Sequence, residues 1–346
     1  MGVIGWIRAN LFNGVWNSLL TILLLALLWK IVPPFIEWAF VKSLWTSDGD
    51  ACRQAVDGAC WSIIYNNLRF ILFGFYPYDE QWRPLTAMLL FVALLFYSRN
   101  RARWTRSLVY AWIVGIVGIA LIMRGGVFGL KVVKTDQWGG LPLTFLLAFF
   151  GLTAAYPLGV LLALGRRSKM PVIKAFSVVY IELIRGVPLI SLLFMSSIVF
   201  PLFLPKGITI DKILRAQVAI ILFTAAYIAE VVRGGLQAIP KGQYEAAESI
   251  GLNYYQTMRL IVLPQALKIV IPPSMGVLIS AFKDTSLVVI IALFDLLKTT
   301  QVVVADPKWM GFSAEAYMFI AMIYFVCCFF MSQYSRRLER ELKTDL

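Results

Sequence analysis

The stretch EAAESIGLNYYQTMRLIVLP, from Glu245 to Pro264, lies between two strongly apolar runs of the chain. Glu and Ala are good helix formers, so its first residues predict a short helix. Gly251 is placed to end this helix with a positive φ, and Pro264 suits the first turn of a following helix, where its missing N–H costs nothing. The stretch therefore predicts a short polar helix, a turn, and entry into an apolar helix.

The runs on either side belong to a chain that is too apolar for an ordinary soluble protein. Of its 346 residues, 60% are hydrophobic and 15% are charged, whereas soluble domains are about half apolar and about a quarter charged. A membrane crossing needs ~20 apolar residues, so we predict an all-α, polytopic membrane protein with about eight transmembrane helices. The predicted spans are residues 11–32, 84–98, 107–123, 141–164, 187–204, 214–232, 265–282 and 315–333.

Basic residues predict which ends of the spans lie in the cytoplasm. In a soluble protein a net charge of +13 would suggest nucleic acid, but here Lys and Arg cluster between apolar runs, as cytoplasmic anchors do. Loops 98–106 and 165–174 each hold four basic residues and no acid. Placing both loops inside puts the two termini and the stretch 245–264 inside as well. We therefore expect membrane lipid, and no nucleic acid, as a partner.

An apolar segment with a central charge, WSIIYNNLRFILFGFY, covers residues 61–76 and contains Arg69. Its Trp, Tyr and Phe side chains predict an interfacial helix at the depth of the lipid headgroups, with a re-entrant segment or a true span as the alternative. The loop 42–83 around it then lies outside. Cys52 and Cys60 in this loop predict a disulfide in an oxidising compartment, with two unpaired thiols as the alternative.

The residue inventory excludes several kinds of chemistry. The chain has no histidine, which argues against His-dependent acid–base catalysis, Ser-His-Asp hydrolysis and most zinc or haem sites. It also has no G-x-x-x-x-G-K-[ST] phosphate loop, so we expect this chain not to hydrolyse ATP. We predict no catalytic residue, no metal site and no cofactor in this chain.

The opening stretch fits the pattern EAA-x3-G-x9-I-x-L-P at every defined position. It resembles the cytoplasmic motif of bacterial ABC importer permeases. The resemblance implies a type I ABC importer permease core with a coupling helix at about 242–252, which docks on an ATP-binding subunit. A solvated loop helix without a partner would fit any one of these features alone. The contact residues implied by the resemblance are Glu245, Ala246, Ala247 and Gly251.

A wider part of the chain, residues 138–346, resembles the polar amino-acid permeases, which carry histidine, glutamate, glutamine, arginine and opines. The segments that carry this resemblance are YIELIRGVPLI (180–190), YIAEVVRGGLQAIPKGQYEAAESIG (227–251), LPQALKIVIPP (263–273) and FKDTSLVVII (282–291). Residues 1–137, with about three spans and the external cysteine loop, resemble the extension of the longer permease subunit of general L-amino-acid transport systems. The resemblance implies a five-span permease core at 138–346 in the bacterial inner (plasma) membrane.

The same resemblance implies the function and the partners of the chain. The expected function is the transmembrane permease subunit of an ATP-driven importer for polar L-amino acids; the alternatives are a membrane-embedded enzyme and a channel. The lack of histidine argues against the enzyme, and the coupling motif argues against the channel. The implied partners are a second, related permease subunit, a dimer of ATP-binding subunits that binds ATP and Mg, a periplasmic solute-binding protein and the amino-acid substrate.

The pattern Glu-x-x-Arg-Gly occurs twice in the core, beginning at Glu182 and at Glu230. At i, i+3 spacing each carboxylate can pair on its own helix face, with the guanidinium of Arg185 or of Arg233. Charges near the bilayer are costly unless they are paired or hydrated. The two pairs are therefore either inner-gate elements beside the coupling helix or anchors that reach into the interface.

The polar run Lys283-Asp284-Thr285-Ser286 follows the seventh predicted span. Lys283 lies about 15 residues after Lys268, which is about 22 Å along a helix and in the outer half of the membrane. A zwitterionic amino acid needs an anionic contact, a cationic contact and hydroxyl groups. The run offers all three, so it either lines the substrate path or forms a structural ion pair at the end of the span.

Overall fold

Helices make up the fold. The computed structural model describes residues 2–55, 57–100, 103–127 and 129–343, and over these residues the chain has isolated β-bridges but no strand. The α-helices are α1 (Val3–Asn10), α2 (Val15–Ile36), α3 (Gly49–Gln54), α4 (Ser62–Phe73), α5 (Trp82–Ser98), α6 (Arg106–Arg124), α7 (Gly140–Arg166), α8 (Pro171–Gly186), α9 (Leu189–Phe194), α10 (Phe200–Leu202), α11 (Lys212–Ala238), α12 (Lys241–Ser249), α13 (Tyr254–Gln256), α14 (Leu263–Asp284), α15 (Leu296–Ala305) and α16 (Ser313–Lys343). Short π-helical segments lie at Glu37–Val41, Met195–Val199 and Thr257–Val262, and 3₁₀ segments at Tyr78–Glu80, Thr135–Gln137 and Thr285–Ile291.

Six helical segments of the described chain are long and apolar enough to cross a membrane. They are Val15–Val41, Arg106–Arg124, Gly140–Arg166, Lys212–Ala238, Tyr254–Ile291 and Ser313–Glu341, and each overlaps a predicted span. On the predicted span 84–98, α5 has 17 residues, or about 25 Å, against a hydrocarbon core of about 30 Å. The prediction of an all-α, polytopic membrane protein is confirmed, with eight as an approximate number of spans.

The remaining predicted span, 187–204, is the second half of a sharply bent helix pair. α8 and the segment Leu189–Leu202 meet at 104°, and together they have the length and composition of a seventh crossing. The bend falls at Val187, whose backbone is extended (φ −109°, ψ 133°). Val187 precedes Pro188, and the proline ring disfavours an α conformation in the residue before it. The apolar run alone therefore located the second half of the pair and missed α8.

Packing divides the chain into two compact units, and the division does not fall at residues 137 and 138. The first unit contains Met1–Leu68 and Val303–Phe319, and the second contains Arg69–Val302 and Ile320–Leu346. The predicted division into 1–137 and 138–346 rests on sequence motifs and stays a prediction.

The first unit joins segments that are far apart in the sequence. The backbone N–H of Cys60 donates to Glu315 Oε1 (2.9 Å), and Arg53 Nη2 donates to the carbonyl of Pro307 (2.7 Å). Gly49 lies so close to Lys308 that a Cβ at this glycine would be 2.2 Å from the Lys308 carbonyl oxygen. The loop that contains Cys52 and Cys60 is thus held against the segment that follows α15.

The second unit is built on close contact between α7 and α11. A Cβ on Gly159 would lie 2.6 Å from Ile228 Cγ2, and a Cβ on Gly151 would lie 2.8 Å from Ile220 Cγ2. Small residues of this kind let membrane helices approach closely, where dispersion contacts rather than water expulsion stabilise the pair. This pair, with α8 and α14 against it, positions the charged residues described below.

The segment predicted as an interfacial helix, 61–76, contains α4. With 12 residues, α4 is about 18 Å long, which is too short to cross the membrane and argues against a true span. Arg69 donates to Gln81 Oε1 (2.8 Å) and to the carbonyl of Tyr78 (2.9 Å), so neutral oxygens solvate its charge. The interfacial position stays a prediction.

Candidate coupling surface and ionic cluster

The helix predicted at about 242–252 is observed as α12. Glu245 and Ala246 are exposed, whereas Ala247 is only 3% exposed and packs inside its own chain. Ala247 is therefore not accessible to a partner, unlike the other residues of the motif. Ile250 is 73% exposed, and it adds an apolar side chain to the surface that α12 offers. No pattern in the sequence marks Ile250 as part of this surface.

The end of α12 is a Schellman turn. The N–H of Gly251 donates to the carbonyl of Glu248 (2.9 Å), and the N–H of Leu252 donates to the carbonyl of Ala247 (3.1 Å), the two hydrogen bonds that define this motif. Gly251 has φ +79°, and no atom lies within 4 Å of a Cβ built on it. A side chain at Gly251 is thus disfavoured by the backbone angle rather than by crowding.

The helix that follows begins earlier than predicted. The side chain of Asn253 caps it in a capping box with Gln256, and a continuous helical segment runs from Tyr254, ten residues before Pro264. Pro264 is the second residue of α14, in the first turn as predicted, but the helical segment as a whole begins ten residues before it. The π-helical segment Thr257–Val262 directly precedes α14. Its wider turns displace the carbonyl four residues before Pro264, with which the proline ring would otherwise clash.

The two Glu-x-x-Arg-Gly motifs meet in one ionic cluster centred on Glu230. Arg233 Nη2 lies 2.9 Å from Glu230 Oε2, as the i, i+3 spacing predicts. Arg185 Nη1, from α8, lies 3.6 Å from the same oxygen. Arg166 Nη1, from the end of α7, lies 2.7 Å from Glu230 Oε1. Three helices therefore place guanidinium groups around one carboxylate, whose side chain is 16% exposed.

The first motif does not form the pair that its spacing suggests. Among the ion pairs of the described residues, Glu182 pairs with Arg166 (2.8 Å) and not with Arg185. Arg185 turns instead to Glu230 and lies 5.7 Å from the ring centroid of Tyr227. Arg185 therefore pairs with the carboxylate of Glu230, on the neighbouring helix, rather than with that of Glu182 on its own helix. The sequence marks Arg166 only as one of the basic residues of the loop 165–174, whereas in the structure it bridges both acids.

The run Lys283–Ser286 marks the change from α14 to a 3₁₀ segment. Thr285 is fully buried, and its hydroxyl donates to the carbonyl of Phe282 (2.7 Å). The hydroxyl of Ser286 donates to the carbonyl of Lys283 (2.8 Å). Lys283 is exposed, and Asp284 and Ser286 are partly exposed, so these three side chains are the accessible part of the run.

The sulfurs of Cys52 and Cys60 form a disulfide in the structure, with the Cα atoms 5.7 Å apart. Cys52 belongs to α3, whose first turn is capped by Asp48 accepting a hydrogen bond from the N–H of Ala51 (3.0 Å). Cys327 and Cys328, in α16, are free.

We expect the bridge between Cys52 and Cys60 in protein from intact cells, where it closes a loop of about nine residues and adds roughly 2–3 kcal/mol of local order. Mass spectrometry of peptides from unreduced protein should find the two cysteines linked. Free, alkylated thiols at both positions would contradict the bridge and the outside location of the loop. Cys327 and Cys328 are the internal control, since they should alkylate after denaturation without reductant.

Comparison with known proteins places this arrangement in a family. The family model for binding-protein-dependent transport system inner membrane components matches residues 155–344. The chain is 49% identical, over 343 residues, to the inner membrane amino-acid ABC transporter permease protein YhdY of Escherichia coli (strain K12), with 98% of this chain and 93% of that protein covered. It is 40% identical, over 413 residues, to the glutamate/glutamine/aspartate/asparagine transport system permease protein BztC of Rhodobacter capsulatus, with 100% and 95% covered.

A solved structure, the crystal structure of an amino acid ABC transporter with histidines, has the same fold over part of the chain. It superimposes with a TM-score of 0.52 at 32% identity, covering 58% of this chain and 92% of that chain. The helical architecture, the EAA stretch on α12 and the likeness over nearly the full length agree. The chain therefore belongs to the family of binding-protein-dependent transport system inner membrane components, and it is a multi-pass ABC importer permease, a transport subunit of the inner membrane.

Proposed function

We propose that the chain imports polar L-amino acids, with residues 138–346 as the five-span permease core and residues 1–137 as an extension of it. The observation that carries the proposal is the surface of α12, where Glu245 and Ala246 are exposed in front of the turn at Gly251. The substrate class is supported by the names of YhdY and BztC, both of which refer to amino-acid transport.

In this proposal α12 docks on a separate ATP-binding subunit, because the chain has no phosphate loop of its own. That subunit acts as a dimer and binds ATP and Mg. A second, related permease chain and a periplasmic solute-binding protein complete the transporter. The basic loops 98–106 and 165–174 favour a cytoplasmic position for α12 and for both termini. Of these loops, Arg101 and Ala102 lie outside the described residues.

Purification of the tagged chain from its own host tests the proposal. We expect an ATP-binding subunit to co-purify with the wild-type chain. Glu245→Arg should strongly reduce the amount of ATP-binding subunit that co-purifies, since it reverses the charge on the exposed face of α12. A membrane-embedded enzyme or a channel would purify without a motor protein. Recovery of the ATP-binding subunit that is equal for both proteins would remove Glu245 from the docking surface.

The ionic cluster is the candidate inner gate. Arg166, Glu182, Arg185, Glu230 and Arg233 join α7, α8 and α11 through their side chains. Ion pairs between helices hold a closed arrangement and can be exchanged when helices move apart, because the partly exposed groups are rehydrated as they separate.

Asp284 is the accessible acid of the candidate substrate path, and its neutralisation tests that path. We expect Asp284→Asn to reduce uptake of a cationic amino acid about fivefold more than that of a neutral one, corresponding to the ~1 kcal/mol of a charge pair at 4 Å in water. The measurement is uptake of a cationic, a neutral and an anionic amino acid, normalised to the complex in the membrane.

Equal proportional loss for the three substrates would assign Asp284 a structural role. The matched control is Ser286→Ala, which removes a neutral hydroxyl that already donates to Lys283 O, and which should not change the order of preference.

A further inference from the structure

Two neighbouring arginines at the end of α7 contact different parts of the second unit. Arg166 is the last residue of α7, and Arg167 is its C-cap. Successive residues of a helix point about 100° apart, so the two side chains leave α7 in different directions. Arg166 donates to Glu182 (2.8 Å) and to Glu230 (2.7 Å), and therefore belongs to the ionic cluster.

Arg167 reaches the junction between α11 and α12. Its Nη1 donates to the carbonyl of Leu236 (2.9 Å) and to the hydroxyl of Tyr244 (3.2 Å). Its guanidinium carbon lies 5.7 Å from the centroid of the Tyr244 ring, within range of a cation–π interaction. The Tyr244 hydroxyl in turn donates to the carbonyl of Leu236 (3.4 Å). Since Tyr244 belongs to α12, this contact ties the candidate coupling helix to the end of α7.

The sequence explains why these donors gather at Leu236. The carbonyl of a helical residue accepts from the N–H four residues later, which for Leu236 is Pro240, and a proline has no N–H. Leu236 is 1% exposed, and an unpaired carbonyl at a buried helix end is costly. Arg167 and Tyr244 replace the missing donor. The end of α11 is therefore completed by one side chain from α7 and one from α12.

We propose that Arg166 and Arg167 form a positioning element that transmits movement of α12 to the ionic cluster. The inference rests on the proposed function, in which α12 docks on the motor and the cluster is the inner gate. A displacement of α12 moves Tyr244, and Tyr244 moves the end of α7 through Arg167. Arg166 follows because a single peptide bond joins it to Arg167, so no flexible segment separates the contact with α12 from the contact with the cluster.

The complete transporter, reconstituted in liposomes, tests the link through the number of substrate molecules imported per ATP hydrolysed. Arg167→Met and Tyr244→Leu each remove the contact and leave the exposed residues of α12 unchanged. We expect either variant to lower uptake per ATP about fivefold or more, the lower end of the coupling between two protein sites. The double variant should be no worse than either single variant, because both changes break the same contact.

A second Arg–Tyr pair close to α12 provides the matched control. Arg259 Nη1 lies 3.5 Å from the Tyr255 hydroxyl at exposed positions, and no ion pair of the described residues joins Arg259 to the cluster. Arg259→Met and Tyr255→Leu should retain wild-type uptake per ATP. A merely structural role for Arg167 would lower the amount and the melting temperature of the complex and leave uptake per ATP unchanged.

The outcomes separate the link from the function on which it rests. Wild-type uptake per ATP in both Arg167→Met and Tyr244→Leu, with loss of docking in Glu245→Arg, would overturn the link and leave the proposed function standing. Normal docking and normal transport in Glu245→Arg would overturn the proposed coupling helix itself. Additive losses in the double variant would show that Arg167 and Tyr244 act separately, which also overturns the link.

Discussion

Replacement of Gly251 by valine is expected to reduce amino-acid uptake about tenfold, because a left-handed backbone costs an L-residue about 1–2 kcal/mol and a β-branched residue more. Gly251 has φ +79° and closes the Schellman turn of α12. Valine at this position must either accept the strain or open the turn, and an open turn changes the direction in which α12 meets its partner. The measurement is uptake together with substrate-stimulated ATP hydrolysis in the reconstituted transporter.

Gly242→Val is the control for this experiment. Gly242 lies inside α12, where φ is not positive, and a Cβ there would meet no atom within 4 Å. Valine is also a better helix former than glycine, so this variant should transport normally. Wild-type uptake and ATP hydrolysis in Gly251→Val and in Glu245→Arg would show that α12 is not the coupling helix.

Loss of Arg166 is expected to have the largest effect within the ionic cluster. Arg166→Met removes two short charge-assisted hydrogen bonds, to Glu182 (2.8 Å) and to Glu230 (2.7 Å). Glu230 is the less exposed of these acids, so the bond to it should account for most of a loss of about 2 kcal/mol in the free energy of unfolding. Thermal unfolding of the purified complex measures the effect, and uptake should fall with it.

Arg185→Met is the matched comparison, since it makes the same chemical change at a weaker contact. The nearest approach of Arg185 to Glu230 is 3.6 Å, and the Arg185 side chain is 36% exposed, so its loss should cost less than about 1 kcal/mol. Equal shifts in melting temperature for Arg166→Met and Arg185→Met would contradict a cluster in which Arg166 is the bridging residue.

The parts of the fold that depend on local sequence could be predicted. Runs of about 20 apolar residues identify most spans, and the distance from Glu245 to Gly251 is enough to predict a helix that ends in a left-handed glycine. The bend at Val187 was not predicted, because hydropathy alone does not show where a helix breaks before a proline. The start of the helix at Tyr254 was not predicted, because the span was located from its apolar run and not from the capping box of Asn253 and Gln256.

The parts of the site that depend on tertiary contacts could not be predicted. The i, i+3 rule considers one helix, so it found Glu230 with Arg233 and mispaired Glu182 with Arg185. It had no means of finding Arg166, which comes from another helix. Pro240 is the one indication in the sequence, because a proline after a helix leaves a helix carbonyl without its usual N–H donor. The proline does not indicate which residue supplies the replacement donor.

The first unit combines an early and a late segment of the chain, and this has a consequence for folding during synthesis. The backbone of Cys60 pairs with Glu315, which the ribosome adds 255 residues later. At 5–20 residues per second this takes roughly 13–50 s, during which the disulfide loop can form but has no partner to pack on. A premature stop codon before residue 303 should therefore leave the N-terminal loop incompletely folded and open to proteases, although every residue of the loop itself has been made.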